Sequence, residues 1–230
     1  DLPGASGDVR DGPFQGRPLR DVVTERGAEL LGDGAADSGF PLLVKILDVG
    51  PPLSVQVHPN GEVARELGDG ERGKCEAWLI LSAEDDGLMF CGLREGIGSD
   101  DVPRLSRDGT LPEALNSFRP QAGEGGEIVP GTLHTAQGLL VLEVQESCDI
   151  TYRVYDYGRG RGELHLDQAR RCLELTGTVG SPPRDTGWAD GGSERRSVAP
   201  KSPFEFLAVQ LRAGEEFDLG PEGCLRLLVV

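Results

Sequence analysis

Ser54, Gln56 and His58 alternate with Val55 and Val57 in a six-residue run that ends at Pro59. As a strand, the run sets the three polar side chains on one face and the two valines on the other. A solvent-facing strand shows the same alternation, with Lys, Glu and Thr as its usual polar residues. Neutral hydrogen-bonding groups, one of them an imidazole, suit instead the inner wall of a barrel that meets a ligand or a metal. The chain has three histidines. Two of them, His58 and His134, adjoin Pro turns at strand ends, and Glu76 opens a strand between them. Two imidazoles, a carboxylate and the amide oxygen of Gln56, with positions left for water, form a reasonable donor set for a borderline divalent ion such as zinc. Two hydrogen-bonded turn histidines are the competing reading of these residues by themselves.

The elements that must position these groups read mostly as strands. Residues 40–49 are an apolar run broken only by Lys45, a cation that either snorkels from an edge strand or points into a pocket. Pro59, Asn60 and Gly61 stop the strand carrying His58, and residues 62–67 form one or two helical turns. Residues 74–81 make the next strand, with Lys74 and Glu76 on one face at its start, and residues 88–93 another. Residues 127–134 run as a strand into a Pro-Gly turn just before His134. Residues 139–145 alternate strongly, with Leu140, Leu142 and Val144 on one side and Val141, Glu143 and Gln145 on the other. Residues 150–155 place Thr151, Arg153 and Tyr155 together. Helices are expected over 20–31, closed by Gly32, and over 167–175, with Asp167 as N-cap and Ala169, Cys172, Leu173 and Leu175 as the buried stripe. Residues 94–125 break the β pattern and read as an insert, helical over 111–118. Residues 176–202 read as a linker or surface loop, and residues 203–230 return to β.

Composition narrows the function classes. The chain has 230 residues, enough for one large domain. Its 34 Gly and 16 Pro fit an all-β chain with many short connections. It carries 23 Lys and Arg against 39 Asp and Glu, a formal net charge of -16. Nucleic acid and anionic membrane both require a basic footprint, so neither is an expected partner. An anionic substrate would need a local cluster of cations. The five cysteines, Cys75, Cys91, Cys148, Cys172 and Cys224, stand singly with no CxxC pair. A reducing compartment, the cytoplasm, is therefore expected. No apolar run is long enough to span a membrane, and no secretory leader is evident. The chain begins at Asp1 and ends in an apolar, strand-like run, which reads as a fragment cut at both ends.

Three blocks in order, FPLLVKILDVGPPLSVQVHPN, GKCEAWLIL and VPGTLHTAQGLLVLEVQESCDITYRVYDYGR, resemble the type I mannose-6-phosphate isomerases, a cupin (jelly-roll) family, from Asp11 to Val230. SVQVHP together with EVQESCDITYR is the most specific part of the pattern. The resemblance implies an all-β fold: a cupin jelly-roll barrel over residues 1–175, a small helical insert at 94–125, and a partial second β domain from 203 to 230. It implies one zinc ion per chain, held by Gln56, His58, Glu76 and His134. It further implies catalytic roles for Arg153, Lys74 and Glu143, and substrate contacts from Ser54 and Lys45. His165, in GELHLDQA, matches no ligand and is read as structural, near a helix start. The chain departs from the family pattern where Pro130 and Gly131 are adjacent, and where the segment from His134 to Glu143 is one residue short. The family has further strands before Asp1 and after Val230, without which the barrel would be open along an edge.

The reaction so implied interconverts mannose 6-phosphate and fructose 6-phosphate, moving a proton between C1 and C2 through an enediol. A metal polarises the carbonyl and steadies the enediolate oxygens. A base takes the carbon proton and returns it to the neighbouring carbon, and Glu143 and Lys74 both stand as that base. Arg153 and Lys45 would hold the phosphate or the developing negative charge. The expected partner is thus a small sugar phosphate. The alternative is a non-catalytic, metal-containing cupin that binds or senses a sugar phosphate. Lys74, Glu143 and Arg153 together favour the enzyme, since a sensor needs no proton shuttle.

Overall fold

The computed structural model describes residues 7–31, 40–176, 194–199 and 203–218. The chain divides into two units, Asp1–Leu43 with Glu215–Val230, and Val44–Gly214. In the first, α1 (Leu19–Leu31) buries Val22, Gly27 and Leu31 and kinks at Arg26. Gly32, the expected stop, lies outside the described residues, as does the end of the chain beyond residue 218.

The second unit holds every candidate site residue. Its strands begin with β1 (Leu42–Val49), which reaches back across the boundary, and β2 (Val55–Val57). Asn60 ends the second strand and starts α2 (Gly61–Leu67), its side chain accepting from the Val63 N–H at 2.9 Å. Next come β3 (Glu76–Leu93), α3 (Val102–Asp108), β4 (Leu115–Phe118), β5 (Gly125–Ile128), β6 (His134–Glu146), β7 (Tyr152–Tyr155) and α4 (Leu166–Thr176). A separate hairpin, β8 (Glu194–Ser197) on β9 (Leu207–Gln210), begins inside the stretch read as a linker.

Seven strands form one sheet in the order β4-β3-β6-β2-β7, with β1 also on β6 and β5 also on β3. The fold is mostly β. Among the described residues the pairings trace an open path from β4 to β7 and do not close into a barrel. The two strands expected at 74–81 and 88–93 are one, β3. The helix expected over 111–118 is instead a 3-10 turn (Leu111–Ala114) followed by β4, which pairs Leu115 with Leu93 and Phe118 with Met89. That pairing with a core strand outweighs local helical preference. The helix of this region is α3, ended by Gly109 in the left-handed conformation. α4 starts one residue before Asp167, on the carbonyl of His165, which accepts from the Ala169 N–H at 2.9 Å. Asp167 therefore sits in the first turn, where its charge favours the helix dipole.

The sheet buries both faces. On the outer face, Val55, Val57, Tyr152 and Val154 pack with Leu133 against Val63 of α2, Val102 of α3, and Ala169, Cys172 and Leu173 of α4. The stripe read for α4 is thus buried, except that the side chain of Leu175 falls outside the described residues. On the inner face, Trp78, Ile80, Met89, Cys91, Ile128, Ala136, Leu139 and Val141 form a second cluster. Tyr155 departs from the alternation expected for its strand. It pairs with Val55 across a register shift and packs against the outer cluster, while Arg153 pairs with Gln56.

The inner cluster contains both Ala136 and Leu139, three residues apart on one strand. Strict alternation would put them on opposite faces. A register shift between Ala83 and Leu88 of β3 faces Gly138 of β6 and changes the phase. Gly138 has φ +62°, and a Cβ built on it would stand 3.0 Å from the Gly87 Cα. Because of this bulge, His134 and Ala136 before it share a face with Val141, Glu143 and Gln145 after it. Gly138→Val is expected to cost about 1–3 kcal/mol in backbone strain alone, read as an earlier midpoint in urea. An unchanged midpoint would mean that the two strands separate there at no cost.

Candidate metal centre

Three strands bring the donor set together, and a fourth sets Arg153 beside it. Gln56 of β2 is the Cα partner of His134 on one side and of Arg153 on the other. Paired residues of an antiparallel ladder point to the same face, so these three form a row across β6, β2 and β7. Glu76 opens β3 opposite Gln145 of β6. His58 follows β2. The Pro130–Gly131 turn docks on it, the Gly131 N–H donating to the His58 carbonyl at 2.8 Å. Despite the shortened loop, His134 thus comes within a ring-centroid distance of 5.0 Å from His58.

His58, Glu76 and His134 each offer one ligand atom, all within 4.8 Å of one another, and all three side chains are buried. Both imidazoles are oriented from behind. His58 Nδ1 donates to the Ile150 carbonyl at 3.0 Å, and His134 Nδ1 donates to the Thr132 carbonyl at 2.9 Å. A carbonyl only accepts, so each Nδ1 carries the proton and each Nε2 presents a lone pair. Burial pushes His58 down to about 4, against the pull of Glu76. The lone pairs meet the carboxylate: His58 Nε2 is 3.2 Å from Glu76 Oε1, and His134 Nε2 is 3.4 Å from Oε2. Apart from the Lys74 ammonium, 2.6 Å from Oε1, no clear hydrogen-bond donor faces the Glu76 oxygens among the described residues. Two lone pairs and a buried anion thus converge with one ammonium at their edge, an arrangement that a cation between them would stabilise further. The donor set therefore fits a divalent ion, with the Ile150 and Thr132 carbonyls fixing both tautomers. The Gln56 amide abuts the same point, its Nε2 3.2 Å from His134 Nε2.

Lys74 stands at the rim of this group, 2.6 Å from Glu76 Oε1 and 3.4 Å from His58 Nε2. Its approach depends on Gly73, where a Cβ would lie 2.8 Å from the Asn60 Cα. Burial alone would push the Glu76 carboxyl up, but its charged surroundings, the Lys74 ammonium among them, hold it well below the ordinary carboxylate range. Trp78 meets the His134 ring edge-on at 5.9 Å.

One pleat further along the inner face, Glu143 is buried and paired with Lys45, whose Nζ is 2.7 Å from Oε1. Burial and the nearby Glu76 push the Glu143 carboxyl up, partly offset by Lys45 and Lys74. The two readings of Lys45 resolve toward the pocket, since its ammonium also contacts Gln145 Oε1. Gln145 was not among the predicted site residues, although the alternation of its strand set it beside Glu143. Arg153 donates from Nη1 to the Arg161 carbonyl at 2.9 Å, and its backbone N–H donates to His165 Nδ1 at 3.1 Å. His165 is thus structural, tying β7 to the start of α4. Ser54 is half-buried and its side chain makes no hydrogen bond among the described residues.

The family model "Phosphomannose isomerase type I, catalytic domain" matches residues 3–75. A mannose-6-phosphate isomerase of Streptococcus mutans is 36% identical over 203 residues, covering 85% of this chain and 62% of its own length. A probable mannose-6-phosphate isomerase of Bacillus subtilis is 35% identical over 178 residues, covering 74% of this chain and 55% of its own length. The chain thus spans less than two thirds of the curated relatives it matches. The crystal structure of the mannose 6-phosphate isomerase from Bacillus subtilis superposes with a TM-score of 0.72 at 29% identity, covering 91% of this chain and 68% of that one.

Proposed function

We propose, from the premise that this chain is a relative of the type I phosphomannose isomerases, that it carries the active site of a zinc-dependent aldose–ketose isomerase. The reaction is the interconversion of mannose 6-phosphate and fructose 6-phosphate through an enediol. The observation that carries this reading is the convergence of His58, Glu76 and His134 on one buried point, with Lys74 beside it. Zinc held there by these three residues and Gln56 would supply Lewis-acid polarisation of the sugar carbonyl.

The chain's own residues divide the remaining tasks. Lys74 is committed to Glu76 as an ion pair at 2.6 Å, so it serves as a hydrogen-bond donor to sugar oxygens. Glu143 is the proton carrier between C1 and C2. Its raised carboxyl, set by burial and by Glu76, suits a group that must both accept and return a proton. Arg153 lies in the row with Gln56 and His134 and offers its planar fork to the phosphate or to the enediolate. Ser54 contacts the substrate. Burial of the ligand set keeps bulk water from the reacting carbons.

The catalytic domain would span residues 1–175, with 176–202 as a connection and 203–230 as the start of a second β domain. Among the described residues Cys75, Cys91, Cys148 and Cys172 form no disulfide, which fits a cytoplasmic enzyme. Among the described residues, no helix is long and apolar enough to cross a membrane.

The purified protein is expected to contain about one zinc per chain. It should lose isomerase activity on dialysis against a chelator and recover it on adding zinc. A well-folded, fully active, metal-free sample would overturn the site.

A further inference from the structure

Gln145 is fully buried, and every polar atom of its amide is engaged. Its Nε2 donates to the Cys148 carbonyl at 2.6 Å and to the Glu146 carbonyl at 3.0 Å. Those two bonds use both amide protons, so the amide cannot turn over, and Oε1 must face Lys45 Nζ. The same ammonium is 2.7 Å from Glu143 Oε1. Glu143 and Gln145 stand two residues apart on one face of β6, and Lys45 reaches them from β1. The ammonium is thereby held between a carboxylate and a fixed carbonyl oxygen. A side chain held in this way is not free to follow a phosphate.

We propose that Gln145 is a positioning residue: its locked amide holds the Lys45 ammonium against Glu143, so that Lys45 serves the proton-carrying carboxylate and not the substrate's phosphate. This rests on the reading of Glu143 as the proton carrier. The geometry explains why a neutral amide occupies a fully buried position beside two charges. An apolar residue there would strand two carbonyls and release the lysine, whereas a second carboxylate would add to the charge of Glu76 and Glu143.

Two measurements test the proposal together. The first is a double-mutant cycle of Gln145→Met and Lys45→Met, with kcat and KM for mannose 6-phosphate and zinc content read on each protein. Gln145→Met is expected to lower kcat by about tenfold or more, with little change in KM or zinc. Adding it to Lys45→Met should change kcat no further. Losses that multiply, or a loss confined to KM, overturn the proposal. The second needs no activity: the rate at which Lys45 is acetylated by acetic anhydride, read by peptide mass spectrometry. Gln145→Met should raise that rate several-fold, and an unchanged rate in a folded variant overturns the proposal. If Gln145→Met does not fold, Gln145→Ser takes its place, since the space it leaves admits water to both carbonyls. A wild-type protein without turnover would remove the isomerase reading, and the acetylation rate would still decide whether Gln145 holds Lys45.

Discussion

Glu76→Gln is expected to strip the protein of its metal and of part of its stability in one step. Glu76 supplies the anionic member of the donor set, and both imidazoles face it. Its loss should weaken zinc binding about a hundredfold or more. The stability cost has a separate origin. Lys74 is buried, and Glu76 is its ion-pair partner at 2.6 Å. Removing one partner of a buried pair leaves the other charge uncompensated, at about 3–5 kcal/mol. The two effects separate in the double variant Glu76→Gln with Lys74→Met, which should regain most of the metal-free stability and none of the zinc affinity. Zinc titration calorimetry and urea unfolding of the metal-free proteins provide the readouts. Equal zinc affinity in wild type and Glu76→Gln would remove Glu76 from the ligand set. An undiminished stability loss in the double variant would mean that Lys74 is not its cause.

Arg153→Ala is expected to lower kcat about 10²–10³-fold while raising KM far less. The reason is the disposition of its guanidinium. One nitrogen is spent on the Arg161 carbonyl, which fixes the plane of the fork, and no ion pair to Arg153 is found among the described residues. A fixed cation on the pocket face is arranged for a charge that arrives with the substrate or grows during reaction. Arg153→Lys should also be poor, because an ammonium cannot hold the carbonyl and present a planar pair of donors at once. Zinc content should remain at the wild-type level in both. If kcat is unchanged and KM alone rises, Arg153 anchors the phosphate and has no part in the chemical step. If the wild-type protein binds mannose 6-phosphate without turning it over, the protein is a sensor and not an isomerase.

The candidate metal ligands were legible because their residue types are rare in this chain and their blocks resemble a family. His58 and His134 are two of three histidines, and both lie beside turns that the structure docks together. The faces of β2 were legible too, since Val55 and Val57 needed a core and found one in α2, α3 and α4. Other features depended on pairing that no local pattern reports. Residues 111–118 carry a helix-like composition, yet Leu115 and Phe118 are drawn into a ladder with β3. Lys45 could have snorkelled outward, and its direction is set by Glu143 and Gln145, about a hundred residues away in the chain. The bonding of Gln145 was invisible because alternation reports a side, not the number of bonds an amide will make there.

Gly138 was described as the residue that lets β6 change phase. A substitution there strains the backbone, but removing the residue altogether would act differently. With Gly138 deleted, β6 could pair with β3 as an unbroken ladder, with good hydrogen bonds and little strain. Ala136 would then stand two positions before Leu139, and His134 and Ala136 would keep the face of Glu143 and Gln145 by plain alternation. Such a protein should keep its donor set on one face without a bulge. At this strand chain length and bulge are therefore linked: an odd offset from His134 to Glu143 needs the bulge, whereas an even offset holds the same face by plain alternation.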